Sequence, residues 1–311
     1  MWCHQESNRG HKDFQSFALP TELWHLPLFF ECKDNAFCLH SKLYGVFFAI
    51  YFCLARNNAS NYYLCQVRIL KNMFNSQNIV INAGYTFLHD FVERLPDIFP
   101  KLANTIYARR NILKKATEKD TALVIKSFQT PHLLNRIIYS NFRNSKARRS
   151  YEYALKLRDL GINTPQPIGY YEEKHGLLFS SSYYVCCLSP CRHTINDLVL
   201  HTDFPERESI LADLALFTAR LHENGILHLD YSAENILMDR KDGKTMLELV
   251  DLNRMRFCHV GITAGCRNFE RLNLDADSLQ LLAKVYAQAR HFDEETCVRN
   301  ILKMRWHKHQ K

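Results

Sequence analysis

Apolar and polar positions alternate through Thr105-Ile106-Tyr107-Ala108 and again through Thr121-Ala122-Leu123-Val124-Ile125-Lys126-Ser127-Phe128, the period-two pattern of half-buried strands. The period then changes. Ala147, Tyr151, Ala154 and Leu155 recur at helical spacing between Ser145, a suitable N-cap, and Gly161, which predicts a helix over Ser145 to Leu160. Gln166 to Leu188 reads as two strands broken at His175-Gly176, so a small antiparallel sheet carrying one helix is expected. A second, helical part begins with Pro205 to Asn224, where Ile210, Leu211, Leu214, Phe217 and Leu221 form the apolar stripe and Gly225 ends the helix.

Upstream of Met73 no helical or strand period is visible, and five of the eleven cysteines lie there. That region contains the one long uncharged run, Leu43 to Ala55, whose 13 residues fall short of the roughly 20 that a spanning helix needs. The cysteines show no C-x-x-C pair, and Cys186 adjoins Cys187; reduced thiols in a cytoplasmic setting are the expectation. The formal charge of +8 suits anionic partners without selecting one. No stacking-aromatic motif or zinc knuckle accompanies it, so nucleic acid is not expected.

The chemistry-bearing stretch is Leu227-His228-Leu229-Asp230-Tyr231-Ser232-Ala233-Glu234-Asn235-Ile236-Leu237-Met238, followed by Asp242-Gly243 and Leu249-Val250-Asp251-Leu252-Asn253. Asp-Gly between two apolar runs predicts a tight hairpin, and closing it brings Asn235 and Asp251 side by side at its open end. An amide and a carboxylate oxygen presented together suit Mg²⁺ bound with substrate phosphates. Asp230, just before the hairpin, stands where a hydroxyl proton could be accepted.

His228, Asp230 and Asn235 fit H-x-D-x-x-x-x-N, and Asp251 follows after a hydrophobic hairpin; this resembles the catalytic loop and metal-binding Asp of the protein-kinase-like superfamily. The resemblance implies an α+β, two-lobed fold with a small antiparallel-sheet N-lobe and a helical C-lobe. It further implies Asp230 as the base, Asn235 and Asp251 as metal ligands, Lys126 in Leu123-Val124-Ile125-Lys126 on the ATP phosphates, and Glu152, the one acid between Lys126 and Arg158, as the partner of Lys126. The chain departs from protein kinases in having no glycine between Gly84 and Gly161, so Arg110 and Asn111, in the Arg109-Arg110-Asn111 turn, are the candidates to cover the phosphates. No Ala-Pro-Glu or long activation segment follows Asp251.

Pro131-His132-Leu133-Leu134-Asn135-Arg136, Ser145 to Ala154 and Gly161-Ile162-Asn163-Thr164-Pro165-Gln166-Pro167 resemble the lipopolysaccharide kinases of Kdo or heptose, over roughly Ile79 to the C-terminus. The resemblance implies ATP-dependent phosphorylation of an inner-core sugar hydroxyl on a lipid A-linked acceptor, at the cytoplasmic face of the inner membrane. Arg136, Arg143, Lys146, Arg148 and Arg149, with the acid-free tail Arg299, Lys303, Arg305, Lys308 and Lys311, would favour peripheral contact with an anionic membrane. A kinase for another acceptor, protein or small molecule, and a pseudokinase scaffold remain open alternatives.

The expected organisation is a kinase-like domain over 73–311, with an N-lobe over about 79–188 and a C-lobe over about 189–311. Residues 1–72 form an extension outside it: an interaction arm, an interfacial anchor on Leu43 to Ala55, or disordered or non-native sequence upstream of a true start at Met73. A chain beginning at Met73 should therefore fold and bind ATP as the full chain does. Insolubility of the shortened chain would put the boundary further upstream.

Overall fold

A computed structural model of the chain describes residues 75–109, 111–129, 144–175 and 178–308. The run Leu43 to Ala55, with Phe47, Phe48, Ile50 and Tyr51, lies outside the described residues, as do Arg110 and the string Pro131 to Arg136.

Six antiparallel strands form the first half: β1 (Asn75–Ile81), β2 (Thr105–Ala108), β3 (Asn111–Glu118), β4 (Thr121–Phe128), β5 (Pro167–His175) and β6 (Leu178–Cys187), in the order β1-β5-β6-β4-β3-β2. Alternation along β4 divides its side chains between the two faces. Leu123 and Ile125 join Ile168, Tyr171, Tyr183 and Val185 against Leu88, Val92, Leu95 and Phe99, which come from the short helices α1 (His89–Glu93) and α2 (Leu95–Ile98) and their 3₁₀ flanks. Phe128, Tyr170, Tyr184 and Cys186 look the other way, onto helix α3 (Lys146–Asp159). Lys126 has the parity of Phe128 and lies on this second face.

The sequence reading of α3 is close to what forms. Ser145 caps it by accepting from the Arg148 amide at 3.0 Å, and Ala147, Tyr151 and Ala154 are buried. Leu157, rather than Leu155, completes the buried stripe. Gly161 takes a positive φ of 66° just past the end, the left-handed conformation a side chain resists.

The second half is mainly helical: α4 (Ile195–Leu200), α5 (Arg207–Glu223), α6 (Ile262–Asn268), α7 (Ala276–Ala289) and α8 (Glu294–Lys308). Among them run β7 (His193–Thr194), β8 (Ile226–His228), β9 (Ile236–Lys241), β10 (Lys244–Leu249) and β11 (Met255–Phe257), in two small antiparallel sheets. Helix α5 buries Ile210, Leu211, Leu214 and Leu221 as its period requires, while Phe217 is only half-buried and Thr218 and His222 are enclosed instead. Arg207 fastens α5 to α7, reaching Asp275 at 2.5 Å and Ser278 Oγ at 2.8 Å.

His222 is the polar centre of this half. Its Nδ1 lies 2.8 Å from the Tyr286 hydroxyl and its Nε2 3.0 Å from Asn268 Oδ1, while Asn268 Nδ2 donates to the His228 carbonyl at 2.9 Å. Because the carbonyl can only accept, the amide orientation follows, and with it the tautomer: Nε2–H donates and Nδ1 accepts. Gly265 on α6 leaves room for this, since a Cβ there would collide with the Tyr286 hydroxyl oxygen.

Burial pushes the His222 pKa down to about 4, with the Arg290 charge adding to the effect and the Asn268 bond opposing it. The folded state thus takes up a proton less readily than the unfolded one. The stability this neutral ring contributes is present above the ordinary histidine pKa and is lost as pH falls from about 6.5 towards 4. Urea unfolding should register a loss of up to about 3 kcal/mol over that interval. His222→Gln, which cannot titrate, should be less stable at pH 7 and lose less on acidification.

Candidate active site

The loop between β8 and β9 is held from below before any functional group is considered. Strand β8 pairs with β11 so that His228 stands opposite Met255, and the Leu229 amide donates to the Arg254 carbonyl at 2.8 Å. Tyr231 is fully buried, and its hydroxyl lies 2.7 Å from Thr218 Oγ1 on α5; since Thr218 donates its own proton to the Leu214 carbonyl, Tyr231 donates to Thr218. His228 is equally enclosed, and its Nδ1 accepts from the Asp230 amide at 3.2 Å. Burial lowers the His228 pKa against the opposing charges of Asp251 and Asp230, so the ring is neutral with its proton on Nε2.

Asp242 and Gly243 carry positive φ values of 52° and 72°, turning β9 into β10 in the tight hairpin their sequence called for. Leu249 pairs with Ile236, and one step beyond, the Val250 amide donates to the Asn235 carbonyl at 3.0 Å. The backbone thus joins Asn235 to the residue before Asp251. Asp251 itself has a φ of 58°, uncommon for a residue with a side chain and a sign of local strain held by its surroundings.

Each polar atom here has an assignable direction. Asn235 Nδ2 donates to the Asp230 carbonyl at 2.9 Å, so its Oδ1 is the amide atom left for a cation. Lys126 Nζ reaches Asp251 Oδ1 at 2.5 Å, and Asn253 Nδ2 bonds the same oxygen, so Oδ2 is the Asp251 atom left for one. An amide oxygen and a carboxylate oxygen, with phosphate oxygens and water completing the shell, are the hard donors Mg²⁺ takes, and the residues present fit that ion. Asp230 sits at the loop's mouth with its side chain 17% exposed; Arg271 Nη1 bonds its Oδ1 and Arg254 Nη1 lies 3.3 Å from its Oδ2.

Lys126 and Glu152, expected to lie close in an active conformation and apart where the helix has swung outward, are not paired in this structure. Glu152 is taken by Arg148 one turn earlier, at 2.7 Å, and by Asn144 at 3.1 Å, while Lys126 is paired with Asp251. The competitor is local: an arginine four residues away on the same helix reaches the carboxylate without any movement of α3. What ties α3 to the site is Arg149, whose Nη1 donates to the Asn253 carbonyl at 2.6 Å. Arg148 and Arg149, read as part of a membrane-facing basic patch, are therefore engaged within the fold.

Asn111 opens β3 directly after the β2–β3 turn and pairs in register with Phe128, which puts its side chain on the Lys126 face of the sheet. Its Oδ1 is buried without a hydrogen-bond partner. Sequence reasoning missed Asn253, Arg149, Arg254, Arg271 and the buried His222–Asn268 support. Asn253 alone had a local signal, lying two residues after Asp251.

The whole arrangement can position a phosphorylated cosubstrate against a hydroxyl: a lysine and a carboxylate at one end of the site, a second carboxylate at the other. The model of the lipopolysaccharide kinase (Kdo/WaaP) family matches residues 107–291, more than half of the chain, and the chain belongs to that family. It is similar to the 3-deoxy-D-manno-octulosonic acid kinase of Vibrio cholerae serotype O1, 27% identical over 161 residues, which are 50% of this chain and 57% of the relative. The enzyme of the same name from Vibrio parahaemolyticus serotype O3:K6 is 26% identical over 120 residues, 38% of this chain and 48% of the relative. The matching region thus spans about half the length of these curated relatives. Among solved structures, WaaP in complex with acyl carrier protein shares the fold, with a TM-score of 0.52 at 13% identity over 75% of this chain and 97% of that one.

If Lys126 depends on Asp251 and not on Glu152, removing the two acids should have unequal effects. Glu152→Gln should change ATP affinity less than about threefold, as expected for a half-exposed helical pair. Asp251→Asn should weaken Mg²⁺-dependent ATP binding by tenfold or more. Titration of both variants with ATP at fixed Mg²⁺ measures this, and equal losses would return Glu152 to the site.

Proposed function

We propose that the chain is an ATP-dependent kinase that phosphorylates a sugar hydroxyl, of Kdo or heptose, in the inner core of lipopolysaccharide. The observation that carries the reading is the placement of Asp230, Asn235, Asp251 and Lys126 around one loop and hairpin inside the region matched by the family model. Asp230 accepts the proton of the acceptor hydroxyl. Lys126 holds ATP phosphates, released from Asp251 to the degree that phosphate oxygens replace the carboxylate. Asn235 Oδ1 and Asp251 Oδ2 hold Mg²⁺, which when bound neutralises phosphate charge. Arg110 and Asn111 cover the nucleotide from the β2–β3 turn, Asn111 standing on the Lys126 face of the sheet.

In this reading the kinase-like domain occupies 73–311, the sheet with α3 forming the N-lobe and the helical half the C-lobe, and residues 1–72 are an extension to it. Among the described residues no helix is long and apolar enough to cross a membrane. The acceptor is lipid-linked, and the basic C-terminal helix with Arg299 and Lys303 supports peripheral contact with an anionic inner-membrane surface from the cytoplasmic side.

Incubating the full chain with ATP, Mg²⁺ and Kdo-lipid A, then weighing the product, tests the acceptor directly. A gain of one phosphate on the sugar is expected. Asp230→Ala should abolish that gain while leaving ATP affinity within a few-fold, because the base acts on the acceptor and not on the nucleotide. Near-normal turnover in the variant would remove Asp230 from the mechanism. Failure of the native chain to bind ATP would favour a pseudokinase scaffold.

A further inference from the structure

The carboxylate assigned as the base is not open to an acceptor hydroxyl in this structure. Arg271 bonds Oδ1 of Asp230, and Arg254 lies 3.3 Å from Oδ2, so each oxygen faces a guanidinium. The two arginines are fixed at the backbone and loose at the head. The Arg254 carbonyl accepts from the Leu229 amide at 2.8 Å, and Arg271 follows three residues after Asn268, which bonds the His228 carbonyl. Their side chains are nevertheless 56% and 53% exposed, against 17% for Asp230. Each guanidinium has five N–H donors and uses only Nη1 on Asp230.

Such an arrangement has little to recommend it as structural glue. Exposed ion pairs contribute little to stability, and two cations on one carboxylate leave a net positive charge at the mouth of the site. It does suit an incoming oxyanion, which planar guanidinium forks bind in bidentate fashion.

We propose that Arg254 and Arg271 are the acceptor-recognition residues of this kinase: they bind an anionic group, carboxylate or phosphate, carried by the acceptor next to the reacting hydroxyl, and in doing so free Asp230 to act. The inference rests on the kinase reading above and deepens it by naming the charge of the substrate. An acceptor sugar acid supplies a carboxylate, and a neighbouring phosphorylated sugar or lipid head supplies a phosphate. As that group takes the guanidinium donors, one Asp230 oxygen turns to the hydroxyl. The hydroxyl proton passes to Asp230, the acceptor oxygen forms its bond to the γ-phosphorus, and the bond from that phosphorus to the bridging oxygen breaks as ADP leaves. A neutral molecule leaves both guanidinium groups on Asp230, so the clamp selects for anionic acceptors.

Calorimetric titration of the full chain with free 3-deoxy-D-manno-octulosonic acid, its methyl ester and inorganic phosphate reads the clamp without needing turnover. The acid binding and the ester failing identifies the carboxylate as the ligand; phosphate binding alone identifies a phosphate. Arg254→Ala and Arg271→Ala should each weaken the anion tenfold or more and raise KM for Kdo-lipid A by a similar factor, with KM for ATP within twofold. The corresponding Lys variants, which keep the charge but not the fork, should recover part of the loss. If neither anion binds the native chain, or if both Ala variants keep its affinities and acceptor KM, the clamp is overturned while product formation still upholds the kinase reading. Anion binding lost in the variants, together with no transfer to Kdo-lipid A, would instead uphold the clamp and overturn the inner-core acceptor.

Discussion

Lys126 and Asp251 are 125 residues apart, and their ion pair is the bond between the sheet and the hairpin on which the rest of the site depends. With side chains 12% and 24% exposed, they are far enough from water for the attraction to exceed that of a surface pair, and for loss of either partner to leave a poorly solvated charge. Asp251 meets Lys126 with its backbone at a φ of 58°, and it is kept there from both sides. Behind it the β9–β10 hairpin fixes Val250 to Asn235, and ahead of it Arg149 holds the Asn253 carbonyl while Asn253 returns a bond to Asp251. A strained residue persists where its neighbours over-determine it, and here they come from the strand, the helix and the hairpin at once.

Beneath this charged layer the support is neutral. Tyr231, Tyr286, His222 and His228 are all buried with polar atoms, and burial moves every one of them towards its uncharged form: the tyrosine hydroxyls are pushed well up, and His222 down to about 4. The separation follows from dielectric. A neutral donor–acceptor chain such as Tyr286–His222–Asn268–His228 carbonyl can be enclosed at little cost when each member is satisfied, whereas an enclosed ion could not. The loop that presents Asp230 is therefore built on groups whose charge does not change near neutral pH. The ionic groups lie above this layer and are paired with one another, Lys126 with Asp251 and Asp230 with Arg254 and Arg271, and of these the two arginines are the ones more than half exposed.

The elements were legible in the sequence wherever their own pattern decided them. Alternation marked β4, Asp242-Gly243 marked the β9–β10 hairpin, and Ser145 with Gly161 bounded α3, because in each case the signal is a property of neighbouring residues; β2 forms where alternation placed it, but its four residues are exposed and not half-buried, since it is the edge strand of the sheet. What could not be read were partners chosen in space. Glu152 was the one acid available to Lys126 by elimination, yet elimination ignores Arg148 four residues away and Asp251 across the fold. The buried Lys114 is a second case: its ammonium donates to the carbonyls of Phe99, Pro100 and Leu102 at 3.0, 3.2 and 2.8 Å, a cage assembled by a turn more than ten residues distant.

The same distinction bears on the basic excess. A charge of +8 spread over the chain predicts only attraction to anions, and the string Lys146 to Arg149 looks from sequence like a membrane-facing patch. In the fold Arg148 is neutralised by Glu152 and Arg149 closes onto a backbone carbonyl, so this stretch works within the structure. Arg254 and Arg271 are 17 residues apart in sequence and belong to no common basic run, yet they converge on one carboxylate with more than half of each side chain still in water. Density of charge along the chain is therefore a poor guide to where an anion binds. Convergence of exposed guanidinium groups on a pinned backbone is a better one, because the backbone holds both side chains over one spot before a ligand arrives.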